Sequence, residues 1–416
     1  MRETLVLAYS GGLDTSVAIP WLTEQGYDVI AVAADLGANL DLPAIQQKAL
    51  QVGAKRCYVV DTRQVFADRF ILPALRANAL YEGQYPLSAS LSRPLIAELL
   101  VAVAHREGAT AVAHGCTGKG NDQVRFDVAI GALDPSLKVV APVREWGFSR
   151  DAEIAYAEQH NVPIPVTRQS PYSVDVNLWG RSAEGGAIED PGAPVPEDAY
   201  AWTVSPSACP PDPLALTIDF EAGVPVAVNG EALSLWHVVD RLNVLAGSRG
   251  VGRIEMVENR LVGIKSREVY EAPAAVTLVQ AKKALEQLVL TREVYQLRAS
   301  LEAQYASLAY NGLWYSPARL ALDAFMAEAT KTVTGRVSVL LHHGQVIVAG
   351  RTAQASLYSP TLATYSLHDT FDHKAAKGFV DLWGLPIRTL AAIEPLADPD
   401  REDWQFSILE PAQTSA

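Results

Sequence analysis

Five short apolar runs dominate the first third of the chain: LVLAY (5–9), YDVIAVAAD (27–35), RCYVVD (56–61), ATAVAHG (109–115) and KVVAPV (138–143). Runs that are apolar throughout, rather than at every second residue, suit strands buried on both faces. Between them lie segments of helical character: Thr15–Gln25 closed by Gly26, residues 42–53 with Pro43 in the first turn and Gly53 at the end, and Arg93–Glu107 after an irregular stretch. Strands and helices in alternation predict an α/β fold, a doubly wound, Rossmann-like parallel sheet over residues 1–165.

The pattern changes near residue 165, where a stretch rich in Pro, Gly and Ser reads as long irregular loops with a functional task. LALTIDF and VPVAVNG then alternate like antiparallel strands, SLWHVVDRLNVLAG like an amphipathic helix, and RVSVLLHHGQVIVAGR like a hairpin. An α+β domain is therefore expected over residues 166–356, followed by a C-terminal helical arm and tail over 357–416.

The first strand runs into YSGGLDTS, two adjacent glycines and three hydroxyls (Ser10, Thr15, Ser16) at the start of a helix. Glycines allow close backbone approach, and a helix N-terminus offers unpaired N–H groups at its positive end, so the loop reads as a phosphate cradle. It has neither the lysine of a Walker A loop nor the glycine spacing of a dinucleotide fingerprint. A second Gly-rich loop, HGCTGKGNDQVRF, follows the fourth strand and crowds Lys119, Asn121, Asp122 and Arg125 together. In a sheet of order 3-2-1-4-5 the two loops would flank one crevice at the switch point.

The balance of charge narrows the partners. A formal net charge of -13 without a Lys/Arg run argues against a nucleic-acid surface. The three cysteines show no metal-ligand spacing and suggest free thiols in a reducing compartment. The first strand leaves no room for a leader, and no apolar run is long enough to span a bilayer, so a cytoplasmic protein is expected. Cys116 reads as a packing residue beside His114.

The SGGLDTS loop resembles that of the N-type ATP pyrophosphatases, whose fold is the adenine nucleotide alpha hydrolase-like sheet. Together with HGCTGKGNDQVRF, ALYEGQYPLSASLSRP, GVGRIEMVENRLVGIKSREVYEAP and REVYQLRASLEAQYASLAYNGLWYSP, it makes nearly the whole chain similar to the argininosuccinate synthase family. The resemblance implies a C–N-bond-forming ligase of arginine biosynthesis: citrulline and aspartate joined with ATP, with Mg²⁺, through a citrullyl-AMP intermediate, in a homotetramer clasped by the C-terminal arm. It places ATP contacts on Ala8, Tyr9, Ser10, Gly11, Gly12, Leu13, Asp14, Thr15 and Ser16, on Ala34, and on Gly115. Citrulline contacts fall on Tyr85, Ser90, Asn121, Arg125, Ser173, Ser182, Glu258 and Tyr270, and aspartate contacts on Thr117, Asn121 and Asp122.

Ser10, Asp14 and Asp122 are the expected catalytic residues, and no protein metal site is expected. Asp14 would orient the loop or a Mg²⁺-bound water, or cap the helix; Asp122 would accept from the substrate amine, or cap a turn. Arg125 would offer a forked donor to the citrulline carboxylate and Glu258 an acceptor to its ammonium, with Lys119 balancing anionic charge. Ala89 stands where many relatives carry a hydroxyl, which removes one hydrogen bond near citrulline. A tRNA-thiolating enzyme would need paired cysteines and a basic face, an amidotransferase an amidase nucleophile, and a plain nucleotide-binding module no second loop with Arg125 and Asp122.

Overall fold

The structure, a computed structural model, describes residues 2–38, 40–163, 171–366 and 368–397. The chain forms two compact units divided between Leu357 and Tyr358. The boundary expected at 165/166 lies outside the described residues.

In the first unit, β1 (Glu3–Ala8), β2 (Tyr27–Asp35), β3 (Arg56–Asp61), β4 (Ala111–Ala113) and β5 (Lys138–Val140) form a sheet of order 3-2-1-4-5, parallel throughout. The continuous apolar run of β1 has a direct cause. Leu5 and Leu7 pack on one face with Val17 and Leu22 of α1 (Leu13–Glu24), while Val6 packs on the other with Leu100 and Val101 of α3 (Ser88–Glu107). Between them α2 (Leu42–Gln51) starts on Asp41, whose carboxylate accepts from the Ala44 N–H at 3.0 Å. The fourth and fifth strands are shorter than their apolar runs, the fifth because Pro142 opens a helical turn. The stretch expected to be irregular after β3 holds two short helical segments, Arg63–Phe66 and Leu72–Arg76.

After α4 (Asp122–Leu133) and α5 (Arg150–Gln159), the segment read as loop instead contains a hairpin, β6 (Ser173–Asn177) and β7 (Gly180–Glu184). β7 pairs with β12 (Lys265–Glu271), itself paired with β11 (Arg253–Asn259), giving an antiparallel sheet of order 11-12-7-6. A third sheet, order 10-9-8-13-14, is built from β8 (Leu214–Glu221), β9 (Val224–Val228), β10 (Glu231–Ala232), β13 (Gly335–His342) and β14 (Gln345–Ala353). Helices α6 (Leu235–Gly247), α7 (Pro273–Val289), α8 (Arg292–Tyr310) and α9 (Pro317–Ala329) complete the unit.

The second unit carries α10 (His373–Trp383) and α11 (Leu385–Ile393). The Asp372 carboxylate caps α10 by accepting from the N–H groups of Lys374 and Ala375.

Candidate active site

Chain order reverses between β1 and β4, and beyond the carboxyl ends of these strands opens a cavity of about 1010 Å³. At its floor is the Gly-rich loop after β1. Gly11 has φ +79°, and a Cβ there would come 3.1 Å from Ile45 Cγ1, so α2 presses on the turn. Ser10 Oγ lies 3.1 Å from Thr15 Oγ1 and accepts from the Gly12 N–H at 3.3 Å. Ser16 is buried and committed inward, to the Gly12 carbonyl at 2.7 Å and the Tyr9 hydroxyl at 3.0 Å. Ala8, Tyr9, Ser10, Gly12, Leu13, Asp14 and Thr15 line the cavity, as does Ala34 at the end of β2. Of the two roles left open for Asp14, helix capping is not observed: α1 has no side-chain cap, and the carboxylate instead accepts from Arg150 Nη1 at 3.0 Å. Lys48, not singled out in the sequence, donates from Nζ to the Gly11 carbonyl at 2.8 Å, and its burial lowers its pKa.

The loop after β4 meets this one closely. A Cβ at Gly115 would stand 3.0 Å from Thr15 Cγ2. The Cys116 thiol is pushed far up by burial, and the His114 imidazole is occupied, accepting from the Cys116 N–H at 3.2 Å and facing Asp127 at 2.7 Å. A thiol so placed is inert. Thr117 and Lys119 are exposed and are not among the residues lining the cavity.

The far end of the cavity is a cage of charges and tyrosines. Glu258 is buried, which raises its pKa, and accepts from the Tyr270 hydroxyl at 2.7 Å and the Tyr310 hydroxyl at 2.8 Å. Asn121 donates to Tyr310 at 2.8 Å and accepts from the Leu261 N–H at 2.9 Å. Tyr85 stacks on Tyr270 with ring centroids 4.0 Å apart, and its hydroxyl accepts from the Ala89 N–H at 2.9 Å. Ala89 thus still contributes through its backbone. Ser182 lines the wall on β7, opposite Tyr270, and Ser173 lines it at the start of β6. Ser90 is buried outside the lining, its Oγ without a hydrogen-bond partner.

One expected role needs correction. Arg125 does not present a free fork: Nε donates to the Tyr310 carbonyl at 3.0 Å and Nη1 to Asp122 at 2.8 Å, leaving only Nη2 unpartnered. Asp122 is clamped between Arg125 and Arg93, which donates from Nε at 2.9 Å. The paired guanidiniums hold its carboxyl far below the usual range, so Asp122 can accept a hydrogen bond but is unfit to take a proton. Arg93 also reaches Asp175 of β6 at 2.8 Å, tying the hairpin to Asp122 at the start of α4. A further bridge, Arg260 between Glu184 and Glu268, completes the wall. Arg93, Tyr310 and Arg260 carry no local sequence signal; each is one polar residue among many on its element.

A five-stranded 3-2-1-4-5 sheet with glycine loops at its switch point defines a nucleotide-binding domain, and residues 4–163 match the family described as "Arginosuccinate synthase N-terminal HUP domain". Residues 172–390 match "Arginosuccinate synthase C-terminal domain". The argininosuccinate synthase of Symbiobacterium thermophilum is 58% identical over 94% of this chain and 98% of its own. That of Brevibacillus brevis is 57% identical over 98% of each chain. The chain belongs to the argininosuccinate synthase family, ligases that form a carbon–nitrogen bond. A 4-thiouridine synthetase solved with RNA and bound ATP is similar over only 38% of the chain and 41% of its own, at 16% identity and a TM-score of 0.30.

Proposed function

We propose that this protein condenses L-citrulline with L-aspartate at the expense of ATP, yielding argininosuccinate, AMP and pyrophosphate for arginine biosynthesis. The observation that carries this reading is a single cavity with a hydroxyl- and N–H-rich loop at one end and, at the other, an unpartnered Arg125 nitrogen near the tyrosine-held Glu258 carboxylate. ATP would lie along Ala8–Ser16, Ala34 and Gly115. Citrulline would meet Tyr85, Ser90, Asn121, Arg125, Ser173, Ser182, Glu258 and Tyr270, and aspartate Thr117, Asn121 and Asp122.

The ureido carbon of citrulline is unreactive because its oxygen leaves poorly. Attack by that oxygen on the α-phosphorus forms an O–P bond and breaks the bond to the β-phosphate, releasing pyrophosphate. The aspartate amine then attacks the activated carbon; the C–N bond forms, the C–O bond breaks, AMP leaves and the amine gives up a proton. Ser10, Thr15 and the backbone N–H groups of the loop would hold the departing pyrophosphate, a kind of preorganised stabilisation often worth ~10²–10³ in rate per donor. No cluster of three or more metal-ligating side chains exists among the described residues, so Mg²⁺ would be held mainly by the phosphates, with Asp14 the carboxylate available on the loop. Bound there, it would neutralise phosphate charge.

The nucleotide-binding domain would span residues 1–165, the synthetase domain 166–356, and the arm 357–416 would join four copies. No described helix is long and apolar enough to cross a membrane, and a cytoplasmic location accords with the free cysteines. Citrulline carrying heavy oxygen in its ureido group, incubated with ATP and aspartate, should pass the label into AMP. Label found in water or pyrophosphate and absent from AMP would rule the adenylate out.

A further inference from the structure

The Gly-rich loop after β1 contains no lysine or arginine of its own, although its proposed ligand is a polyphosphate. Four arginines and no lysine line the cavity among the described residues: Arg93, Arg125, Arg150 and Arg260. Three of these are locked. The side chains of Arg93 and Arg260 are each 14% exposed and bridge two carboxylates apiece, and Arg125 is 5% exposed against Asp122. Each of these guanidiniums is itself nearly buried, so moving it would break a largely desolvated ion pair, which is costly.

Arg150 also serves two carboxylates but differs in its exposure and in its free nitrogens. It opens α5 beside the loop, its side chain is 57% exposed, and a single nitrogen, Nη1, serves both Asp14 and Glu153 at 3.0 Å. Its Nε and Nη2 make no hydrogen bond to a described residue. Its pair with Asp14, with side chains 57% and 47% exposed, is held by little free energy, whereas the Glu153 side chain is only 8% exposed. Asp14 itself lies between Gly12 and Thr15, so a guanidinium parked on it has only a short rotation to make to reach the floor of the cavity.

We propose that Arg150 is a pyrophosphate-binding arm, which exchanges the exposed Asp14 for the β- and γ-phosphates while staying beside Glu153, and supplies the positive charge the loop lacks. The proposal rests on the reading of Ser10–Ser16 as the phosphate seat. It also gives Asp14 a second task, to keep the arm near the loop when phosphate is not there. A guanidinium suits this role because its planar fork can span two phosphate oxygens, where an ammonium offers one point of charge.

Calorimetric titration of the full-length protein with inorganic pyrophosphate, and separately with AMP, tests it on Arg150→Ala, Arg150→Lys and Ser10→Ala. Arg150→Ala should weaken pyrophosphate about tenfold or more, as loss of a charge-assisted contact predicts, with AMP changed less than about twofold and Arg150→Lys in between. If Ser10→Ala weakens pyrophosphate but Arg150→Ala does not, the arm is refuted and the phosphate seat stands. If neither variant weakens it, both fall. Equal losses of AMP and pyrophosphate in Arg150→Ala would also overturn the arm, since they would mark a general disturbance of the cleft.

Discussion

Arg125 has one nitrogen to spare, and much of its guanidinium is already spent inside the protein. Arg125→Lys keeps the charge but cannot serve Tyr310, Asp122 and a ligand at once. It should weaken citrulline about 10–100-fold, the worth of one charged hydrogen bond at ~1.5–3 kcal/mol, and change ATP far less. Calorimetry with each ligand checks this; equal losses would mean that Arg125 supports the cleft as a whole. Glu153 makes a different statement, about pH. Its carboxyl is held above the ordinary value of 4.5, by burial first and then by Asp14. The unfolded chain gives up this proton at the ordinary value, so the residue opposes folding increasingly as pH rises from there through its raised value. Glu153→Gln, which mimics the protonated form, should melt with the parent near pH 4 and exceed it at pH 8, by ~1–3 kcal/mol. A parent protein more stable than the variant at pH 8 would contradict the assignment.

The β6–β7 hairpin lines the cavity and is tied through Asp175 to Arg93, which also holds Asp122. Asp175→Ala should loosen it, seen as faster amide exchange over residues 173–184 and an increase of about fivefold in KM for the amino acids, the worth of a partly exposed bridge near ~1 kcal/mol. Unchanged exchange would show that the hairpin's remaining ties, among them β12, the Arg260–Glu184 bridge and the Asn177 bond to the Ser88 carbonyl, hold it without Asp175. This hairpin was not legible in the sequence. β6, SVDVN, alternates over only five residues and leaves Val174 exposed, β7, GRSAE, does not alternate, and the hairpin's place comes from pairing with a strand some 90 residues away, as Glu271 opposite Arg181 illustrates. The first two strands were legible for the opposite reason: both faces are largely buried, so nearly every side chain reports the strand. The glycine loops could likewise be read locally, because close backbone approach demands glycine wherever it occurs. Lys48, Arg93 and Arg150 could not, since a charged residue on a helix looks the same whether it faces water or a ligand. Glu258 and Tyr270 stood out only through the family's surrounding segment.

At the scale of the whole molecule, the second unit presents apolar side chains that a lone chain leaves in water: Phe379, Val380, Trp383, Ile387 and Ile393 are each at least 60% exposed. Covering such side chains is worth ~1.5–3 kcal/mol apiece, which favours their burial between copies. Removal of the chain from Leu357 onward should therefore give smaller, less stable assemblies in sedimentation; an unchanged tetramer of full stability would refute the clasp. The first unit has a consequence of another kind. Asn121 closes the cage by bonding to Tyr310, 189 residues later, and β8 finds its partner β13 only once residues 335–342 exist. A ribosome making this chain completes the parallel sheet and its phosphate cradle long before the amino-acid cage can close. During that interval the glycine loop after β1 is already made while the Glu258, Tyr270 and Tyr310 side chains that form the cage are not.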